Sequence, residues 1–163
     1  MPQNPMLALC AQRLFRDMTM SQKPTPSSSA PAYRGSCLCG AVKYEVDGQI
    51  SFASHCHCSM CRKAHGAAFA SYGGVTARKF RITQGQDVLR TFHSSPGVAR
   101  SFCPQCGSPI TWTSDQHPEH IAFTLGTLET PLTPPSGMRH IHVASKASWY
   151  EICDSLPRFD GNG

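Results

Sequence analysis

Seven of the nine cysteines stand in three close groups, and this spacing constrains the chain more than any other feature. The groups are Cys37-Leu-Cys39, Cys56-His-Cys58-Ser-Met-Cys61 and Cys103-Pro-Gln-Cys106. A C-x-x-C turn folds back so that both thiolates reach one ion, and zinc takes four such ligands in a tetrahedron. The spacings therefore predict metal binding, with Zn²⁺ as the ion. Cys10 and Cys153 stand apart, and we expect neither to be a ligand.

Seven thiols cannot fill two four-ligand shells, so we expect one closed site and one open site. Cys56, Cys58 and Cys61 can converge on one ion from six residues of chain. The pairs Cys37/Cys39 and Cys103/Cys106 are then left to meet across more than sixty residues. Closing so long a loop is a task for a structural metal. Three protein ligands with an exchangeable fourth position are typical of a catalytic zinc, so the prediction is two zinc ions with different roles.

Two alternatives remain open at this point. A histidine close to the triplet in sequence, namely His55, His57 or His65, could complete a closed Cys₃His shell, and both zinc ions would then be structural. The other alternative is a single zinc ion, with Cys56–Cys61 supplying redox thiols.

Composition and patterning indicate a single all-β domain. The chain has 163 residues, with 13 Gly, 13 Pro and only 15% charged residues, which suits a turn-rich β fold. Val42, Tyr44 and Val46 alternate with polar residues, as in a strand with one buried face. Only Met60–His65 looks helical. We predict a small antiparallel structure with further strands at Ile50–Ser54, Ala67–Tyr72, Phe80–Thr83, Val88–Phe92, Val98–Phe102, Ile110–Thr113, Ile121–Leu125 and Ile141–Ala144.

Residues 1–32 differ from the rest because their second half is rich in Pro and Ser, and we expect a disordered lead. The zinc-binding domain is predicted over 33–155, followed by a tail at 156–163. No apolar run is long enough to span a membrane, and the first residues lack the pattern of a secretory signal. The interpretation is a cytoplasmic protein whose thiols are metal ligands or catalytic groups.

The net charge of +5 does not indicate a nucleic-acid partner once it is mapped. Residues 1–35 carry +3, and the remaining 128 residues carry only +2. The densest basic cluster is Arg78, Lys79 and Arg81, which is typical of a solvated strand edge. Nucleic-acid binders usually gather more basic groups on one face, so we expect none as a partner.

Three segments together resemble the glutathione-dependent formaldehyde-activating enzyme family, which includes centromere protein V. They are Gly35-Ser-Cys-Leu-Cys-Gly-Ala-Val42, Cys56-His-Cys-Ser-Met-Cys-Arg-Lys-Ala-His-Gly66 and Phe102-Cys-Pro-Gln-Cys-Gly-Ser-Pro109. The resemblance runs from about Tyr33 to about Tyr150 and takes in all three cysteine groups in order.

The resemblance implies a zinc-stapled fold called a β-tent. It also implies a structural zinc on Cys37, Cys39, Cys103 and Cys106 and a catalytic zinc on Cys56, Cys58 and Cys61. The family activity joins glutathione to formaldehyde and gives S-hydroxymethylglutathione, classed as a carbon–sulfur lyase for the reverse direction. The implied partner is a small-molecule thiol such as glutathione.

Three thiolates on Zn²⁺ leave a net charge of −1, which favours delivery of a thiolate over Lewis-acid activation of an aldehyde. Arg62 and Lys63 follow the triplet and could offset that charge, or could simply be exposed. The three histidines near the triplet are not assigned a catalytic role. We interpret His140 and His142 as surface residues of one strand, and Trp112 and Trp149 as core aromatics that could also line a pocket.

The main rival to the enzyme is a non-catalytic zinc-stapled binding module. It would need a closed second metal shell or an extended basic or apolar contact surface. The sequence has no basic stripe, which counts against a nucleic-acid module. A zinc-dependent chaperone or metal-handling protein is a third hypothesis.

Overall fold

A computed structural model describes residues 32–133, 135 and 137–163. The predicted lead, apart from its last residue, lies outside these residues, as does Cys10. Within the described part, the elements are β1 (Tyr33–Ser36), β2 (Lys43–Val46), β3 (Phe52–Cys56), α1 (Ser59–His65), β4 (Ala70–Thr76), β5 (Phe80–Gln84), β6 (Arg90–Ser95), β7 (Val98–Phe102), β8 (Pro109–Ser114), β9 (His120–Thr124) and β10 (Arg139–Ile141). Short 3₁₀ helices lie at Ala77–Lys79, Leu125–Thr127 and Val143–Ser145.

The strands form two sheets, which confirms the predicted all-β class. One sheet has the order β1-β2-β5, and the other has the order β10-β3-β4-β9-β8-β7-β6. Every pairing is antiparallel except that of β10 with β3, which is parallel. A parallel pair needs a long connection. Here α1 and strands β4 to β9 lie between β3 and β10 in the sequence.

The core lies between the two sheets. Tyr44 and Val46 of β2 are buried, with exposures of 1% and 0%, as the alternating pattern predicts. The Tyr44 ring lies 5.0 Å from Phe80 and 5.9 Å from Phe123, measured between centroids. Phe80 belongs to the small sheet and Phe123 to the large one, so this aromatic contact joins the two sheets.

Several strand boundaries differ from the predicted ones. The sequence pattern predicts strands at Ile50–Ser54, Ala67–Tyr72 and Val88–Phe92, whereas the structure has β3, β4 and β6 beginning two or three residues later. β4 continues through Gly73 and Gly74, where the pattern predicts an end. The absence of side chains there makes room for the Phe52 ring, which lies directly over Gly74.

The predicted last strand, Ile141–Ala144, is wrong in its position. β10 is Arg139–Ile141, and the chain leaves it at His142, whose φ of 56° is in the left-handed region. Residues 157–161, within the predicted tail, hydrogen-bond along this segment. The His140 amide donates to the Pro157 carbonyl, and the Phe159 amide donates to the His140 carbonyl.

The basic cluster predicted as a strand edge is partly neutralised. Arg81 forms ion pairs with Glu45 and Asp47 across the small sheet. Among the described residues, no helix is long and apolar enough to span a membrane.

Candidate metal centres and active site

Cys37, Cys39, Cys103 and Cys106 come together as one four-thiol cluster, called here the four-cysteine cluster. Their sulfur atoms all lie within 4.8 Å of one another. The Cys37 and Cys39 sulfurs are 3.5 Å apart, and those of Cys39 and Cys103 are 3.8 Å apart. A metal–sulfur bond of about 2.3 Å places the sulfurs of a tetrahedral shell about 3.8 Å apart. The cluster therefore fits a tetrahedral zinc ion.

Two matching turns build the four-cysteine cluster. The first joins β1 to β2 and the second joins β7 to β8, so the cluster links the small sheet to the large one. In each turn a glycine amide donates to the carbonyl of the leading cysteine, from Gly40 to Cys37 and from Gly107 to Cys103. Both glycines have a φ of 75°, which favours residues without a side chain.

Cys56, Cys58 and Cys61 form a second cluster, called here the triplet, whose sulfurs also lie within 4.8 Å of one another. Cys56 ends β3, Cys58 caps α1, and Cys61 lies in the first turn of that helix. The Cys61 amide donates to the Cys58 sulfur at 3.3 Å. No histidine, aspartate, glutamate or further cysteine joins this group within the described ranges.

The thiols of the triplet affect one another's ionisation. Hydrogen bonds from Cys56 and Cys61 lower the pKa of Cys58, because they stabilise its thiolate. Hydrogen bonding to Cys58 and then Cys61 raises the pKa of Cys56, because the proton is held between neighbouring sulfurs. Three close thiols resist full deprotonation as a set unless a cation offsets their charge, so this donor set suits a divalent ion.

The three histidines that could have closed the triplet hydrogen-bond elsewhere. His55 Nδ1 lies 2.8 Å from the Ser71 hydroxyl, and His65 Nε2 lies 2.9 Å from the Tyr72 hydroxyl. His57 is fully buried, and its Nε2 lies 2.8 Å from His140 Nδ1. The described contacts therefore leave the triplet with three protein ligands.

The interpretation of His140 as a strand-surface residue is wrong. His140 is fully buried, and its Nε2 lies 3.0 Å from the Asp154 carboxylate. When both imidazoles are neutral, His140 donates to Asp154 and accepts from His57 Nε2, which leaves no proton on His57 Nδ1. Burial, followed by the charge of His140, lowers the pKa of His57 to about 4, so His57 is neutral near pH 7. His142 is only partly exposed and lines the cavity described below.

The cation beside the triplet is Arg100, which sequence reasoning missed. Arg100 Nη2 donates to the Cys61 sulfur at 3.7 Å. Arg62 instead donates to the backbone carbonyls of His57 and Ser145, and Lys63 is exposed. No local signal could have found Arg100, because strand pairing brings it to Cys61 from 39 residues away.

A cavity of about 600 Å³ opens beside the triplet, and all three triplet cysteines line it. It lies on the large sheet and is closed on one side by α1 and the end of β10. Its apolar wall includes Phe52, Met60, Val98, Trp112 and Ile141. Its polar wall includes Arg100, His117, Arg139 and His142. The cavity is large enough for a small organic ligand.

The two tryptophans have different positions. Trp112 is partly buried and lines the cavity, which agrees with the pocket interpretation. The interpretation of Trp149 as a core aromatic is wrong, because it is 73% exposed. Its ring contacts Tyr150 at the surface, in a segment between the last 3₁₀ helix and the C-terminal residues. Cys153 belongs to neither cysteine cluster.

The fold and site define a sheet-rich protein with two cysteine clusters able to hold metal ions, one of them beside a cavity. A family model for the glutathione-dependent formaldehyde-activating enzyme matches residues 32–145. The chain belongs to this family.

Individual relatives agree with this family. A Halomonas elongata protein, provisionally named a glutathione-dependent formaldehyde-activating enzyme, is 26% identical over 125 residues, which is 72% of this chain and 79% of that protein. An uncharacterised lyase of Schizosaccharomyces pombe is 28% identical over 93 residues, which is 56% of this chain and 66% of that protein. A Rhodobacter sphaeroides crystal structure superimposes with a TM-score of 0.53 at 26% identity, over 62% of this chain and 91% of that one.

Proposed function

We propose that the protein is a zinc-dependent enzyme of the carbon–sulfur lyase type that joins a thiol, glutathione first, to an aldehyde such as formaldehyde. One observation carries the proposal. The triplet has three sulfur ligands and no fourth ligand among the described residues, and it lines a cavity of about 600 Å³. A metal site with an open position beside a cavity is the arrangement of a catalytic zinc. The family and its lyase-named relative support the same reaction class.

The two clusters are assigned different roles. The four-cysteine cluster has sulfurs at the spacing of a tetrahedral shell. It joins the small sheet to the large one, and its cysteines do not line the cavity. We assign this four-cysteine cluster to a structural zinc. Cys56, Cys58 and Cys61 hold the catalytic zinc. Thiols gathered at metal-binding spacing are typical of a reducing compartment, which supports a cytoplasmic location.

A zinc ion on the triplet supplies a centre at which a thiol is deprotonated near neutral pH. The chain supplies the surroundings. Arg100 offers a positive charge beside Cys61, at 3.7 Å from its sulfur. Phe52 and Trp112 give the cavity apolar walls that limit water around the reacting groups.

The reaction balances without an oxidant or reductant. The thiol sulfur forms a bond to the aldehyde carbon, and the carbonyl π bond breaks. The thiol proton ends on the new hydroxyl oxygen, and the reverse reaction returns it to sulfur. The chain therefore needs only a thiol site, room for a small aldehyde and a route for one proton.

Exchange spectroscopy by NMR tests the proposal. Glutathione and formaldehyde combine without a catalyst, so the measured quantity is the rate of exchange between free and hydroxymethylated glutathione. The full chain loaded with zinc should raise this rate, and Cys58→Ser should abolish the increase. Cys153→Ser, outside both clusters, is the matched control and should retain it. A rate equal to that of the uncatalysed mixture would favour the non-catalytic binding module.

A further inference from the structure

Arg100 is held in place by every nitrogen of its guanidinium. Nε donates to the Ser94 hydroxyl at 3.0 Å, and Nη1 donates to the Tyr72 hydroxyl at 3.1 Å. Nη2 then donates to the Cys61 sulfur at 3.7 Å. A guanidinium is a planar fork of donors, so three partners in different directions fix both its position and its orientation.

A further contact holds the Tyr72 hydroxyl. Its oxygen accepts from Arg100, so its proton is free to donate to His65 Nε2 at 2.9 Å. Burial lowers the pKa of His65, which favours the neutral ring, and the tautomer with its proton on Nδ1 accepts this hydrogen bond at Nε2. Tyr72 itself is 7% exposed. The hydrogen bonds from Arg100 to Tyr72 and from Tyr72 to His65 therefore link strand β7 to the end of α1 beside the cavity.

In the part of the chain that the structure describes, Arg100 forms no ion pair with a carboxylate. Within the described residues, no aspartate or glutamate lies within 4.0 Å of it. The anionic group that it contacts is the sulfur of Cys61 when it is a thiolate. Three thiolates and one Zn²⁺ sum to −1, and Arg100 brings the sum to zero. A fourth ligand that arrives as a thiolate then meets a neutral site.

We propose that Arg100 is a positioning residue that makes the triplet site select an anionic fourth ligand. This inference rests on the proposed function, because it assumes that the triplet holds a metal ion with an open position. Charge at this distance from a partly buried site changes ligand affinity by about tenfold. The effect should act on charged ligands and leave neutral ligands unaffected, because only the charge of the site changes.

The test uses the cobalt-substituted full chain and compares two ligands. Glutathione binds as an anionic thiolate, and imidazole binds as a neutral nitrogen ligand. Each is titrated into wild type, Arg100→Gln and Arg100→Lys while the cobalt absorption is recorded. Arg100→Gln should weaken glutathione binding by about tenfold and leave imidazole binding unchanged. Arg100→Lys keeps the charge and should restore most of the affinity for glutathione.

Arg78→Gln is the matched control, since Arg78 is exposed on the 3₁₀ helix at Ala77–Lys79, and it should change neither titration. Tyr72→Phe gives a second variant that keeps the Arg100 charge but removes one of the three partners of its guanidinium. It should weaken only glutathione binding, by less than Arg100→Gln. Equal losses for both ligands would overturn the proposal, because they would mean a loosened site. Unchanged glutathione binding in Arg100→Gln would also overturn it. Failure of wild type to bind glutathione would instead count against the proposed function.

Discussion

Gly74 shows how a single residue shapes the wall of the cavity. It lies opposite Phe52 in the pairing of β3 with β4. A Cβ placed on Gly74 would lie 1.9 Å from the Cζ atom of Phe52. The ring therefore fills the space that a side chain would take, and it forms part of the cavity wall. The requirement for glycine here comes from contact, since the φ of Gly74 is not in the left-handed region.

Gly74→Ala should lower the free energy of unfolding by about 1–3 kcal/mol, because the new methyl group displaces the Phe52 ring. Urea denaturation of the zinc-loaded protein measures the change. In a Phe52→Ala background the same substitution should cost less, since the clash is gone. Gly126→Ala is the control, because no neighbouring atom lies within 4 Å of the place that its new methyl group would occupy. Equal losses at Gly74 in both backgrounds would contradict the contact.

At the scale of elements, strand β10 connects the triplet to the C-terminal segment. Its His140 lies opposite His55 in the parallel pairing with β3 and hydrogen-bonds the neighbouring His57. On its other side His140 hydrogen-bonds Asp154. Burial is the largest single influence and opposes ionisation of Asp154. Hydrogen bonds from His140 and the Leu156 amide, together with the nearby histidine charges, outweigh it and lower the pKa of the carboxyl. His57, which lies between Cys56 and Cys58, is thus connected through His140 to Asp154 in the C-terminal segment.

Asp154→Asn should lower the free energy of unfolding by about 1 kcal/mol, since a hydrogen bond to a charged group is replaced by one to a neutral, half-exposed amide. Asp160→Asn, on the exposed C-terminal segment, should change it little. Because the folded-state pKa of Asp154 is lowered, its contribution is present above the ordinary value of 3.8 and is lost as pH falls below it. Denaturation at pH 7.5 and pH 5.5 should therefore give the same difference between wild type and Asp154→Asn. A difference that disappears at pH 5.5 would contradict this assignment.

The elements also show what the sequence could and could not predict. The alternation around Tyr44 and the local cluster at Cys56–Cys61 are short-range patterns, so they predicted β2 and the grouping of the triplet. The surface interpretation of His140 is wrong because alternation along a three-residue strand does not reveal which residues pack against its side chains. The C-terminal segment pairs with the edge of β10, and the buried imidazole lies against the His57 and Phe69 rings and hydrogen-bonds Asp154.

Arg100 could not be predicted for a different reason. Its contact with Cys61 depends on the order of strands in the large sheet, in which β4, β9 and β8 separate β3 from β7, the strand that carries Arg100. Periodicity within one segment carries no information about that order. Arg62 is nearer to the triplet in sequence, but its guanidinium donates hydrogen bonds to two backbone carbonyls.

At the scale of the whole molecule, the two clusters differ in what they connect. The four-cysteine cluster joins the β1–β2 turn to the β7–β8 turn, and Cys37 and Cys103 are part of the main hydrophobic core. The triplet is formed within six consecutive residues and lines the cavity. Loss of metal should therefore affect the fold through the first cluster and ligand binding through the second.

Cys103→Ser should cost far more stability than Cys58→Ser. A structural zinc contributes on the order of ten kcal/mol to folding in small zinc domains. The triplet lies within six consecutive residues, so a metal there closes no long loop and contributes less. Metal analysis should find close to two zinc ions in wild type and close to one in Cys58→Ser, with thermal unfolding recorded on both variants. A soluble Cys103→Ser protein that melts at the wild-type temperature would rule out the structural assignment.

The central claim is that the triplet is an open metal site that takes a thiol as its fourth ligand, and cobalt spectroscopy tests it most directly. Thiolate-to-cobalt charge-transfer absorption grows with each sulfur ligand, and the four-cysteine cluster is already complete. Titrating glutathione into the cobalt-substituted protein should raise this absorption by the amount expected for one additional sulfur ligand. The same titration of Cys58→Ser should give no increase. A spectrum that stays constant at millimolar glutathione, with both cobalt ions retained, would contradict the claim.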